Sequence, residues 1–298
     1  MIQARVHIGK YPEKEVEAPF SFASWLGDQN CRVRIRMAAL QGGSDSEDDF
    51  VDAGKVRRVE ESSPRIMRIK KDIAEFFADP PPGIFIHPNE ADVTIVDVLL
   101  VGSQNTPFEG GFFRLRITFP ANYPMRPPSA TFLTTDAGRV SFNEHIYSTG
   151  YICLNILGTH GNSWSPVQTL SSVLISIQSL LNENMDIKNI RAAIDPQKTY
   201  QLHETIRVAV CDAVEDCLRV NSSFPAAFKD VVLKNFEDNY TKHEGAVRAR
   251  LHLTGLAMGY VGRQYQFETL QKRLLDLKER VSKKRELDAA ATVSGFSS

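Results

Sequence analysis

The spacing of apolar residues changes period along the chain. Ile66, Ile69, Ile73, Phe76 and Phe77 recur at helical intervals and mark a helix with one apolar face. Ser63 suits its N-cap and Pro64 its first turn. Asp79-Pro80-Pro81-Pro82-Gly83 ends it, because proline cannot continue a helix. Strand signals follow. Residues 93–101 are rich in branched side chains, Gly110-Gly111 makes a turn, and Phe113, Leu115, Ile117 and Phe119 alternate with Arg114, Arg116 and Thr118. Such alternation is that of a half-buried strand. Pro120, Pro124, Pro127 and Pro128 punctuate the next segment, and residues 130–134 read as a short strand. Helical spacing returns after Trp164-Ser165-Pro166 with Leu170, Val173, Leu174, Ile177, Leu180 and Leu181, a buried core helix. A helix, several short strands joined by tight turns and a second helix predict an α+β fold built on an antiparallel meander.

The flanks read differently. Residues 1–62 form an N-terminal extension. It contains Phe20, Phe22, Trp25 and Leu26 without a clear period, then an acidic, Gly- and Ser-rich stretch, Gln41 to Asp49. That composition cannot bury enough apolar area to offset chain ordering, so residues 41–62 are expected to be a mobile tether. Ser44 and Ser46 lie among acids and are candidate phosphorylation sites. Residues 63–190 hold the meander and its helices, and residues 191–298 are a helical C-terminal extension. There, residues 204–217 and 224–240 are predicted helices, and Phe267, Leu270, Leu274, Leu277 and Val281 step by three and four. That stripe suits packing on the core or on a partner helix. Residues 289–298 are expected to fray.

Composition narrows the function classes. Among 298 residues, 35 Lys and Arg balance 36 Asp and Glu, for a formal charge of -1. That balance argues against wholesale nucleic-acid binding. No uninterrupted apolar run reaches the ~18 residues of a membrane span. Met1-Ile2-Gln3-Ala4-Arg5 is not followed by an apolar core and a small-residue cleavage site, so no secretory signal is expected. Cys31, Cys153, Cys211 and Cys217 are too scattered for a disulfide framework, and no CxxC pair suggests structural zinc. A reduced cytoplasmic or nuclear protein is the expectation.

Chemistry enters with three motifs: Tyr123-Pro124-Met125-Arg126-Pro127-Pro128, Gly150-Tyr151-Ile152-Cys153-Leu154-Asn155-Ile156-Leu157, and Trp164-Ser165-Pro166. In this order and spacing they resemble the core of the ubiquitin-conjugating enzymes. Thr106-Pro107-Phe108-Glu109-Gly110-Gly111 and the proline-rich end of the first helix fit as well. The resemblance covers about residues 64–190. Within that family the Z-type enzymes look closest, by Pro80-Pro81-Pro82-Gly83, the enlarged loop Gly158-Thr159-His160-Gly161-Asn162-Ser163, and residues 171–180 and 203–212. The resemblance implies a fold of an N-terminal helix, a four-stranded antiparallel meander and a central helix. It also implies that Cys153 carries ubiquitin or a ubiquitin-like modifier as a thioester. A thiol is both a strong nucleophile and a good leaving group, so exchange between thiols is nearly isoenergetic. An ordinary thiol titrates near pH ~8.5, and no Lys, Arg or His adjoins Cys153 in sequence. Cys31, Cys211 and Cys217 lack these flanks and read as buried fillers.

The family usually has a His-Pro-Asn tripeptide ending eight residues before the catalytic cysteine; this chain has Asn143-Glu144-His145. The Asn is thought to order the loop and stabilise the transfer oxyanion, so His145 is the candidate for that task and Asn143 for loop support. A neutral imidazole can donate one hydrogen bond, and an oxyanion donor can contribute roughly 3 kcal/mol. Many members place an Asp near the end of the helix after Trp-Ser-Pro to orient the attacking lysine. Direct count reaches Lys188, and Asp186 is the nearby acid.

Partners follow from the same resemblance. The first helix docks on the activating enzyme, with Arg65, Arg68, Lys70 and Lys71 as the basic face for an acidic surface. The ligase-binding loops map to Met125 and to Pro166-Val167, a small apolar patch. The reaction implied is transfer from Cys153 to a substrate amine, usually lysine, with no cofactor; no phosphate-binding glycine loop is present and neither nucleotide nor metal is expected. Two other readings stand beside it. An inactive variant would scaffold ubiquitin transfer, which the altered tripeptide favours and Cys153 in full context opposes. A cysteine hydrolase would need a histidine base, His145 or His160, yet no hydrolase motif surrounds Cys153.

Overall fold

The computed structural model describes residues 2–6, 14–18, 34–35, 63–161, 163–182, 195–258 and 262–295. The acidic stretch with Ser44 and Ser46, and the aromatic residues Phe20 to Trp25, lie outside them. Three N-terminal strands, β1 (Ile2–Val6), β2 (Lys14–Ala18) and β3 (Arg34–Ile35), pair antiparallel in the order β2-β1-β3. Their register sets Arg5 opposite Glu15. Apolar residues do alternate here, at Ile2, Ala4 and Val6, but over five positions the pattern is too short to stand out.

Helix α1 (Pro64–Ala78) starts where the Ser63 hydroxyl accepts the Ile66 N–H at 3.3 Å. It buries Ile69, Ile73, Ala74 and Phe76. The meander follows as β4 (Ile84–Pro88), β5 (Ile95–Val101), β6 (Phe112–Thr118) and β7 (Ser129–Phe132), each strand antiparallel to the next. Its register pairs Val96 with Ile117, Val98 with Leu115 and Leu100 with Phe113. These six side chains face one way and are fully buried against α1 and α2 (Leu170–Ser179). Thr169 and Ser172 cap α2 reciprocally, side chain to backbone in both directions.

The opposite face of the sheet carries a second core. Phe85, Leu99, Val101 and Phe112 point away from α1 and α2 and pack with the C-terminal helices. Residues 196–217 form one continuous helix: α3 (Pro196–Glu204), a π-helical stretch (Thr205–Asp212) and α4 (Ala213–Cys217). Asp195 caps its start through hydrogen bonds from the Gln197 and Lys198 N–H groups. Ile206 and Val210 come off the π-helical stretch and lie in this core with Phe228 and Phe236 of α5 (Ala226–Arg248). Helix α6 (Phe267–Gly295) contributes Phe267, Leu270, Leu274, Leu277 and Val281. The three-and-four stripe therefore packs inside its own chain. Residues 289–295, expected to fray, continue α6; Ala289-Ala290-Ala291 are the strongest helix formers.

Polar links join the layers. Arg114 on β6 donates to the Ser223 hydroxyl and carbonyl and lies 4.4 Å from the Phe224 ring centroid. Arg207 bridges Glu204 to Asp136, beyond β7, at 2.6 Å each. The sequence division at residue 190 falls in a segment outside the described residues, and the two cores it separates share one sheet. No helix among the described residues is long and apolar enough to cross a membrane.

Candidate active site

Cys153 sits where a bridge between Ile146 and Ile152 brings two segments together. Its backbone N–H donates to the His145 carbonyl at 2.8 Å. Asn143 holds the other end of this arch. Its Oδ1 accepts the His145 N–H at 2.8 Å, and its Nδ2 donates to the Leu180 carbonyl, just past α2, at 3.1 Å. The Ser141 hydroxyl lies 2.7 Å from the Ile146 carbonyl and 3.0 Å from that of Asn143. The arch is thus tied to the core through a buried amide.

After Cys153 the chain makes a 3-10 turn (Asn155–Leu157) and reverses at Gly158, whose φ of 66° is left-handed and suits glycine. Thr159 then pins the returning segment. Its hydroxyl accepts the Leu154 N–H at 2.7 Å and donates toward the Ile152 carbonyl at 2.8 Å. The Thr159 carbonyl stands 3.9 Å from the Cys153 sulfur, and Nδ1 of His160 stands 3.6 Å from it. The sequence shows no basic group beside Cys153; the fold supplies His160 across this turn. The glycines at 158 and 161 were the available signal, since they bracket a chain reversal.

His145, at the position of the family's Asn, meets Cys153 through its backbone. Its ring is nearly half exposed and lies 3.6 Å from the Glu144 carboxylate. It is His145's carbonyl, not its imidazole, that engages Cys153. Asp186 and Lys188 lie outside the described residues.

The other described cysteines are sealed. Cys211 and Cys217 are buried in the C-terminal core, and burial pushes each thiol up to about 12. Cys153 is partly accessible.

The basic face of α1 divides. Arg68 turns inward: it pairs with Asp72 at 2.9 Å and donates to the carbonyls of Pro166 and Gln168 at 2.7 Å each. Asp72, almost wholly buried, also accepts the Tyr123 hydroxyl. Burial raises the Asp72 carboxyl's pKa against the opposing bonds from Tyr123 and Arg68. Arg65 donates to the Phe119 carbonyl at 2.7 Å. Their fixed planar forks match clustered carbonyls better than an open docking surface. Lys71 stays outward, 62% exposed and only 3.7 Å from Glu75; Lys70 lies on the same helix. Trp164 donates to the Pro124 carbonyl at 2.7 Å, so α1 and the two proline loops form one block. From that block Met125 (72% exposed) and Val167 (82%) project, beside Pro166.

The family model for ubiquitin-conjugating enzyme matches residues 68–209. Its end falls inside the continuous helix that follows the segment after α2. The chain is 39% identical over 238 residues to Ubiquitin-conjugating enzyme E2 Z of Danio rerio, covering 74% of this chain and 69% of that protein. The corresponding figures for Ubiquitin-conjugating enzyme E2 Z of Homo sapiens are 37% over 254 residues, 77% and 69%. Ubiquitin-conjugating enzyme E2 2 of Neurospora crassa matches 50% of this chain, at 35% identity, and 95% of its own length.

Proposed function

The chain belongs to the ubiquitin-conjugating enzymes, a family of transferases, and on that premise we propose that Cys153 is the thiol that holds the modifier as a thioester. The family works between an activating enzyme and a ligase. In this reading Cys153 accepts ubiquitin or a ubiquitin-like modifier from the first and passes it to a substrate amine, usually lysine, with the second. The observation that carries the assignment is access. Cys153 lies partly open at the end of a hydrogen-bonded arch, whereas Cys211 and Cys217 are shut in apolar surroundings that disfavour the thiolate.

The surrounding residues take roles from their geometry. Asn143 anchors the arch, and the His145 carbonyl fixes the backbone of Cys153. Met125, Pro166 and Val167 form the apolar patch for a ligase, held in shape by Arg68 from below. Lys71, with Lys70, is the part of α1 offered to an acidic surface of the activating enzyme.

The test is a charging reaction with activating enzyme, ATP and ubiquitin. The expected product is an adduct cleaved by thiols, absent in Cys153→Ala and replaced by a thiol-resistant ester in Cys153→Ser. A chain that binds the activating enzyme yet forms no adduct would overturn the assignment in favour of a scaffold.

A further inference from the structure

We propose that His160 is the proton acceptor of Cys153, and so a catalytic residue in its own right. The inference rests on Cys153 being the thioester-forming thiol. Nδ1 of His160 lies 3.6 Å from the sulfur, within hydrogen-bonding range for so large an acceptor or donor atom. The position is built, not incidental. Gly158 turns the chain back through a left-handed conformation, and the Thr159 hydroxyl clamps the return to both neighbours of Cys153, Ile152 and Leu154. The next residue is then delivered over the sulfur. His145 could have competed for this role, but its ring is turned to Glu144. Among the described residues, the titratable groups next to this turn also include Tyr151, whose hydroxyl donates to the Thr159 carbonyl at 3.4 Å, and Tyr147, whose ring lies tilted against that of Tyr151 at 5.7 Å between centroids. Among the described residues, Cys153 is the titratable partner in hydrogen-bond contact with the His160 ring.

Such a group would speed the chemistry. A free thiol is only a few per cent ionised at neutral pH, while imidazoles in general titrate close to neutrality. With its proton on Nε2, His160 presents Nδ1 as an acceptor. In charging, the Cys153 S–H proton passes to Nδ1 as the sulfur bonds to the carbonyl carbon of the modifier's thioester. The bond from that carbon to the activating enzyme's sulfur breaks, and the departing thiolate takes the proton from the imidazolium. In transfer, the amine nitrogen bonds to the same carbon and the bond to the Cys153 sulfur breaks. His160 then takes the amine proton and returns it to the Cys153 thiolate. Both steps balance for a thiol and an amine that enter in their neutral forms; a lysine ammonium must first lose one proton to solvent.

The test uses the full chain and two readouts. The first is the rate of Cys153 alkylation by iodoacetamide, followed on its own peptide by mass spectrometry from about pH 6 to about pH 9. His160→Asn keeps a polar side chain but cannot take up a proton. It should alkylate about 10-fold more slowly near neutrality and converge on the wild type above the thiol's ordinary pKa. The second is single-turnover charging, which should slow in parallel and recover in part with added imidazole. Superimposed wild-type and His160→Asn profiles would overturn the proposal. So would a loss that is equal at every pH, which marks a loop-shaping role. Alkylation requires no modifier, so failure of Cys153 to charge at all would count against the thioester assignment and leave the His160 result legible.

Discussion

A Cβ placed on Gly110 would stand 2.7 Å from Nε2 of His243. His243 is buried on α5 and donates that Nε2–H to the neighbouring Glu109 carbonyl at 3.1 Å; burial lowers its pKa. The loop before β6 is thus clasped by the C-terminal extension, and Gly110 meets it with a φ of 66°. Gly110→Ala should lose about 2 kcal/mol or more, from the left-handed backbone and the collision together. Urea denaturation measures it. His243→Ala added to Gly110→Ala should relieve the collision and leave the backbone cost, so the two changes should be strongly non-additive. Additive losses would show that the contact is loose.

Glu204 supplies a dependence on acid. It is fully buried, which raises its pKa, but hydrogen bonds from His203 at 2.8 Å and Arg207 at 2.6 Å outweigh burial and hold the carboxyl below its ordinary range. A depressed carboxyl stabilises the fold fully above its unfolded pKa of ~4.3, and that contribution drains away as pH falls through the lower folded value. Glu204→Gln leaves Arg207 short of a counter-charge and should cost about 3 kcal/mol at neutral pH. Its stability should also fall less steeply below about pH 4 than the wild type's. Denaturation midpoints measured across that range decide it; parallel acid limbs would refute the assignment.

Lys71 and Arg68 should separate binding from folding. Lys71→Glu changes an exposed charge and should slow charging several-fold at low salt with little change in melting temperature. Arg68→Ala removes the counter-charge of the buried Asp72, leaving it the Tyr123 hydroxyl, and frees the Pro166 and Gln168 carbonyls. It should lower stability by about 3 kcal/mol, and ligase-dependent discharge should fall because the Val167 loop loses its support. Equal melting temperatures for the two variants would contradict the inward placement of Arg68.

Phe112 reports on the second core. It is fully buried on the face of β6 that meets the extension. Phe112→Ala should cost about 3–5 kcal/mol, as a core aromatic does. A loss under about 1 kcal/mol, the scale of a surface change, would show that the extension covers this face only loosely.

Much of this was legible beforehand because periodicity reports burial. Phe113, Leu115 and Ile117 announced the inner face of β6, and Ile69 and Ile73 that of α1. The motif around Cys153 named the candidate site. Other features depended on the third dimension. Phe112 directly precedes the alternating run, and the residues that cover it come from the helices after residue 195. Arg68 looked like one of four cations on a solvated helix until the Pro166 and Gln168 carbonyls met it. His160 is seven positions from Cys153, a separation that only the Gly158 turn converts into contact. Position in the sequence marked His145, but only the arch shows that its carbonyl faces the Cys153 N–H.

Strands β5 and β6 carry apolar side chains of one core on one surface and of the other core on the reverse. Melting either layer would bare the other, so the two layers should share one melting temperature. Residues 63–295 should give a single endotherm whose calorimetric and van't Hoff enthalpies agree. The C-terminal helices would then be a structural half of one cooperative body rather than an attachment to a smaller enzyme.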